Sequence, residues 1–157
     1  MRHVVVLLGV GGVGKTTLAY RLMGLSLKPR VTLRPGVYRI FLESWEVNII
    51  DVPGQYVYQV VQNFVRMSTF FVDKVLYMYD VTQYDTLQSI VEIHSRLLDR
   101  FIKPFKKIAV VGNKMDLARE IGIQVEADEI AAAVGTREVY YISALYDDVK
   151  ELIKILW

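Results

Sequence analysis

Short uninterrupted apolar runs alternate along the chain with stretches in which apolar residues recur every third or fourth position, a pattern that predicts strand followed by helix. Val4 to Leu8 is wholly apolar and reads as a buried strand. Val37 to Leu42 and Trp45 to Ile50, joined through Glu43-Ser44, read as a hairpin. Tyr56 to Phe70 predicts a helix and Lys74 to Tyr79 a strand. Tyr84 to Phe101 predicts a helix with Leu87, Ile90, Val91, Leu97, Leu98 and Phe101 on one face, and Pro104 closes that section. Lys107 to Val111 reads as another buried strand, 126–134 as a short helix stopped by Gly135, and Val139 to Ile142 as the last strand. Val149, Leu152, Ile153 and Leu156 line one face of a final helix. Repeated β-then-α units imply an α/β fold, with a mostly parallel sheet, helices on both faces and ligands at the carboxyl ends of the strands.

The first strand runs straight into Gly9-Val10-Gly11-Gly12-Val13-Gly14-Lys15-Thr16 and then into a helical pattern. This is G-x-x-x-x-G-K-[ST] in the strand–loop–helix context that gives it meaning: glycines let backbone N–H groups converge on a phosphate, and the helix N-terminus adds unpaired donors. Lys15 can then reach the β- and γ-phosphates, and the Thr16 hydroxyl can hold Mg²⁺.

The chain has 157 residues, 53% of them hydrophobic, which suits a single domain spanning 1–157. It has no cysteine, which excludes disulfides, a thiol nucleophile, a cysteine-based zinc site and a prenyl or palmitoyl acceptor. No apolar run approaches the ~20 residues that span a bilayer, and Met1-Arg2-His3 leads directly into a strand, so no transmembrane segment, signal peptide or lipid anchor is expected and a cytoplasmic location is. The net charge is +2, and the densest basic stretch holds only four charges, a weak case for nucleic acid, which is not an expected partner. Lys28, Arg30, Arg34 and Arg39 form the densest basic stretch, either a solvated loop or a surface for an acidic partner.

Anything that meets the phosphates must also follow a strand. After Ile50 comes Asp51-Val52-Pro53-Gly54-Gln55, in which Asp51 can serve Mg²⁺, the Gly54 N–H can approach a γ-phosphate, and Gln55 can orient an attacking water. After Val111 comes Gly112-Asn113-Lys114-Met115-Asp116. Guanine presents N1–H and a 2-amino group side by side, which one carboxylate accepts together, so Asp116 favours guanine over adenine. Asn113 can tie the loop to the base edge, and the Lys114 stem can cover the ring. The last strand ends in Ser143-Ala144-Leu145, where a backbone N–H can donate to the guanine O6.

With GVGGVGKT, Thr32, DVPGQ, NKMD and SAL in order, the sequence resembles the Ras-like small GTPases over its full length, nearest the Arf-like and Rag-like branches and related prokaryotic GTPases. The resemblance implies a three-layer P-loop G domain with a six-stranded sheet that includes one antiparallel edge hairpin. It also implies GTP and GDP as ligands, Mg²⁺ as cofactor, two switch regions and slow GTP hydrolysis. Gly12, Gly14, Lys15 and Thr17, with Val13 in the same loop, would contact phosphates. Thr16, Thr32 and Asp51 would serve the metal; Asn113, Lys114, Asp116, Ser143, Ala144 and Leu145 would form the base site; Gln55 would act on water. Gly11 sits where the family needs minimal bulk beside that glutamine.

Two positions depart from the family. The flanks of Thr32 match poorly, and a two-residue shift would put Arg34 in its place. Pro53 replaces a small residue and is expected to stiffen the second switch. Arg30 and Arg34 are either solvated loop residues or an internal arginine finger. Trp45, Tyr56, Tyr58, Phe64 and Met67 are either core or an aromatic patch for regulators and effectors, expected within 28–45 and 54–70. His94 reads as a core histidine, and Asp80, Asp147 and Asp148 as strand-end and helix-start residues. Two functions stand: a GTPase switch, which Gln55 favours, or a scaffold stabilised by GTP or GDP without useful turnover.

Overall fold

The computed structural model describes residues 1–25, 31–34, 36–52, 72–98 and 107–157, of which 31–34 and 97–98 are described by their backbone. The elements are β1 (Arg2–Leu8), α1 (Lys15–Met23), β2 (Val31–Arg34), β3 (Val37–Phe41), β4 (Glu46–Asp51), β5 (Lys74–Asp80), α2 (Tyr84–Leu98), β6 (Lys107–Asn113), α3 (Met115–Ile121), α4 (Asp128–Ala133), β7 (Val139–Tyr141) and α5 (Val149–Leu152), which runs into a 3₁₀ turn at Ile153–Leu156. Among the described residues the strands form one seven-stranded sheet in the order β2-β3-β4-β1-β5-β6-β7. β1 is parallel to β4 and β5, β5 to β6, and β6 to β7, whereas β3 is antiparallel to both β4 and β2.

β1 is wholly apolar because it lies mid-sheet with both faces covered. Its side chains alternate between two cores, as the two-residue period of a strand requires. Val5 and Leu7 pack with Leu18 and Leu22 of α1 and with Leu152, Ile155 and Leu156 at the C-terminal end. Val6 and Leu8 pack with Leu87, Ile90 and Ile93 of α2 and Ala131 of α4. The result is three layers, and it brings the carboxyl ends of β1, β4, β5 and β6 to one rim.

All six expected strands are present, and β2 adds a seventh at the hairpin edge, pairing Val31 with Arg39 and Thr32 with Tyr38. The predicted apolar face of α2 needs one correction. Leu87, Ile90 and Ile93 are buried, whereas Val91 is 39% exposed, one position off that face. α3 was not foreseen from the sequence. It is seven residues long, too short for a repeating apolar stripe, and buries only Ala118. Trp45 is half-buried and packs against the core, its ring centroid 4.7 Å from that of Trp157 and 6.0 Å from that of His3. His94 is buried, with Nδ1 2.6 Å from the Tyr77 hydroxyl, and burial lowers its pKa. Arg30, Pro53, Gly54, Gln55, residues 56–70 for which a helix is expected, Phe101 and Pro104 lie outside the described residues.

Candidate functional site

The loop leaving β1 turns through Gly12 and Gly14, with φ of 83° and 99°. Gly14 is required twice over. Its φ is left-handed, and a Cβ there would lie 2.2 Å from Asn113 Nδ2. A Cβ on Gly11 or Gly12 would meet nothing within 4 Å, so that side of the loop is an open cradle. α1 begins at once, Leu18 N–H donating to Gly14 O at 3.1 Å, so the first-turn amides need partners from outside the helix.

Lys15 is 5% exposed, and its ammonium donates to the loop carbonyls of Gly9 at 2.8 Å and Val10 at 3.1 Å. Burial lowers its pKa, against the opposing pull of the Asp51 carboxylate. Thr16 follows on the exposed side of α1, its hydroxyl donating to Asp51 Oδ2 at 2.6 Å. Asp51 ends β4 beside Leu7, and its Oδ1 is buried with no hydrogen-bond partner among the described residues. A buried carboxylate oxygen without a donor is costly to leave alone. Together with the threonine hydroxyl it forms a hard oxygen set, and these residues fit Mg²⁺.

The second half of the site grows from β6. Its last residue, Asn113, is 3% exposed and forms a bridge. Nδ2 donates to Val13 O in the glycine loop at 2.9 Å, and Oδ1 accepts from Ala144 N–H at 2.9 Å. That Ala144 N–H, a candidate donor to guanine O6, is therefore already engaged by Asn113. Lys114 is the one non-glycine with positive φ (71°) among the described residues, and its Nζ lies 3.0 Å from Asp80 Oδ2. Asp116 lies in the first turn of α3, and its Oδ1 accepts from the Ser143 hydroxyl at 2.7 Å.

Thus the structure gathers the glycine loop, Lys15, Thr16 and Asp51 at one end and Asn113, Lys114, Asp116 and 143–145 at the other, with Asn113 between them. The Ras family's sequence model matches residues 4–155. The chain belongs to the Ras family. It is a P-loop protein of the small GTPase type. Its fold is similar to that of the FeoB G-domain from Methanococcus jannaschii, with a TM-score of 0.66 and 20% identity, covering 99% of this chain and 95% of that one. No curated protein matches the sequence.

In this Ras-family chain two aspartates brace the site in ways the sequence reading missed. Asp80, at the end of β5, holds Lys114 and accepts from Thr82 N–H at 2.9 Å and the Thr82 hydroxyl at 2.6 Å. Burial pushes its carboxyl up, but the Thr82 bonds and Lys114 outweigh that and leave its pKa below the usual value. Asp147 Oδ2 accepts from Ser143 N–H at 2.8 Å and so shapes the 143–147 loop. Only Asp148 is simply a cap, accepting from Lys150 N–H. The position of Asp80, an acid ending a buried strand as Asp51 does, was the available signal.

Proposed function

We propose that this chain is a single G domain that binds GTP and GDP with Mg²⁺, hydrolyses GTP, and acts as a molecular switch. The observation that carries the reading is the Asn113 bridge, one buried side chain bonded at the same time to the phosphate loop and to the segment that would meet the base. A ligand that rewards this arrangement has phosphates at one end and a purine at the other, and Asp116 selects guanine.

The chain's own groups divide the work. Loop amides and Lys15 hold the β- and γ-phosphates, with Lys15 exchanging its bonds to Gly9 and Val10 for phosphate oxygens. Thr16 and Asp51 hold the metal, and Thr32 is assigned to it as well. Mg²⁺, when bound, neutralises charge on the β- and γ-oxygens. Gln55 orients the water that attacks in line. Regulators and effectors engage within 28–45 and 54–70, on surfaces that respond to the γ-phosphate. No helix among the described residues is long and apolar enough to cross a membrane. A cytoplasmic location is part of the proposal and follows from the sequence, which has no cysteine.

Single-turnover hydrolysis of γ-labelled GTP, with Gln55→Leu alongside, tests the reading. Wild type should release phosphate at least about tenfold faster than the variant. Equal rates with intact GTP binding would favour the scaffold instead.

A further inference from the structure

Arg21 lies in the last turn of α1, the helix whose first turn carries Lys15 and Thr16. Its guanidinium reaches a segment 123 residues away in sequence. Nη1 donates to Ala144 O at 2.7 Å, and Nη2 donates to Asp147 O at 2.6 Å. The two prongs of one rigid fork are thus spent on two backbone carbonyls of the base loop, and among the described residues Arg21 makes no ion pair. Charge-assisted bonds of this length are the strong kind.

The backbone of Ala144 is consequently held through both its polar groups: its N–H by Asn113 and its C=O by Arg21. Asp147 is gripped in the same way, its carbonyl by Arg21 and its carboxylate by Ser143 N–H. Ser143 in turn fixes Asp116 through its hydroxyl. Lys15 and Arg21 are six positions apart on one helix, about 9 Å along the axis, with no joint between them. A rigid helix therefore bears phosphate contacts at one end and the base loop at the other.

We propose that Arg21 is a positioning residue that straps the base loop to the phosphate helix, setting both guanine selectivity and nucleotide residence time. The proposal rests on the GTP-binding reading above. Losing the fork frees the loop at two carbonyls while Asn113, Lys15 and Asp116 remain, so the base end loosens and the phosphate end does not.

Fluorescent GDP, GTP and IDP analogues separate these ends. IDP lacks the 2-amino group that Asp116 would accept from, so the GDP-to-IDP affinity ratio reads the base site, and the GTP-to-GDP ratio reads the γ-phosphate site. Arg21→Ala should release GDP about tenfold faster and lower the GDP-to-IDP ratio severalfold, leaving the GTP-to-GDP ratio as in wild type. A purely structural arginine would lower Tm without changing the GDP-to-IDP ratio, and that result overturns the proposal. If Arg21→Ala does not fold, Arg21→Gln, too short to reach both carbonyls, carries the same comparison with an intermediate loss expected and an unchanged ratio overturning it. Wild-type protein that binds neither GDP nor GTP would instead sink the nucleotide reading itself.

Discussion

At Gly14 the glycine loop and Asn113 come so close that only a hydrogen atom fits between backbone and amide. Gly12 shares the left-handed backbone but has open space where a side chain would go, so the two glycines separate conformational cost from steric cost. Gly12→Ala should cost about 1–2 kcal/mol in urea unfolding, the price of the left-handed backbone alone. Gly14→Ala adds displacement of Asn113, and with it the bridge to Ala144. It should cost at least ~1 kcal/mol more and weaken GDP binding at least about tenfold, measured by fluorescence titration. Equal effects of the two substitutions would show that the Asn113 contact gives way easily. The glycine loop and NKMD were legible in the sequence because their chemistry sits in consecutive residues. The partners of Asn113 were not, since Val13 lies in the loop after β1, 100 residues away, and Ala144 in the loop after β7, 31 residues away.

At the amino ends of β5 and β7, the rim opposite the glycine loop, Lys74 is wholly buried and pairs with Glu138 at 2.5 Å, with the Tyr140 hydroxyl on the same carboxylate oxygen. Burial pushes the Glu138 carboxyl up, but Lys74 and Tyr140 more than reverse this, and its pKa lies below the usual 4.5. A carboxyl with a lowered folded pKa adds stability that is complete above its unfolded value and is lost as pH falls through the folded one. Glu138→Gln strands the buried ammonium and, since Glu138 is itself about a third exposed, should cost about 2–3 kcal/mol at pH 7. The deficit should narrow steadily below about pH 4.5. Replacing both partners, Lys74→Met with Glu138→Gln, should return stability to within ~1 kcal/mol of wild type. Urea unfolding between pH 3 and 7, a range set by carboxylate titration, checks all three. At this scale the sequence shows elements whose apolar period is long or unbroken, such as β1 and α2. It hides α3, where seven residues bury one alanine, and it misplaces Val91, because a helical period tolerates an error of one position.

In the whole molecule, the two ends of the site rest on strands and helices that share both cores, so ligand binding and folding are linked. GDP with Mg²⁺ at 100 times its Kd should add about 2.7 kcal/mol to unfolding free energy, seen as a rise in Tm by calorimetry. Adenine nucleotides at the same concentration should add little, and an equal rise with ADP would remove the role given to Asp116. The overall fold was legible because alternating strand and helix patterns permit few topologies. What escaped was pairing at a distance, Arg21 with Ala144 and Asp80 with Lys114, which leaves no trace in local periodicity. The hairpin edge adds a mechanical point. Thr32 is paired with Tyr38, Tyr38 with Ile49, and the Asp51 N–H with Gly36 O at 2.7 Å. A pull on the outermost strand is therefore transmitted across two hydrogen-bonded ladders to the carboxylate facing Thr16, so a protein gripping that margin would tug on the proposed magnesium ligand without ever entering the pocket.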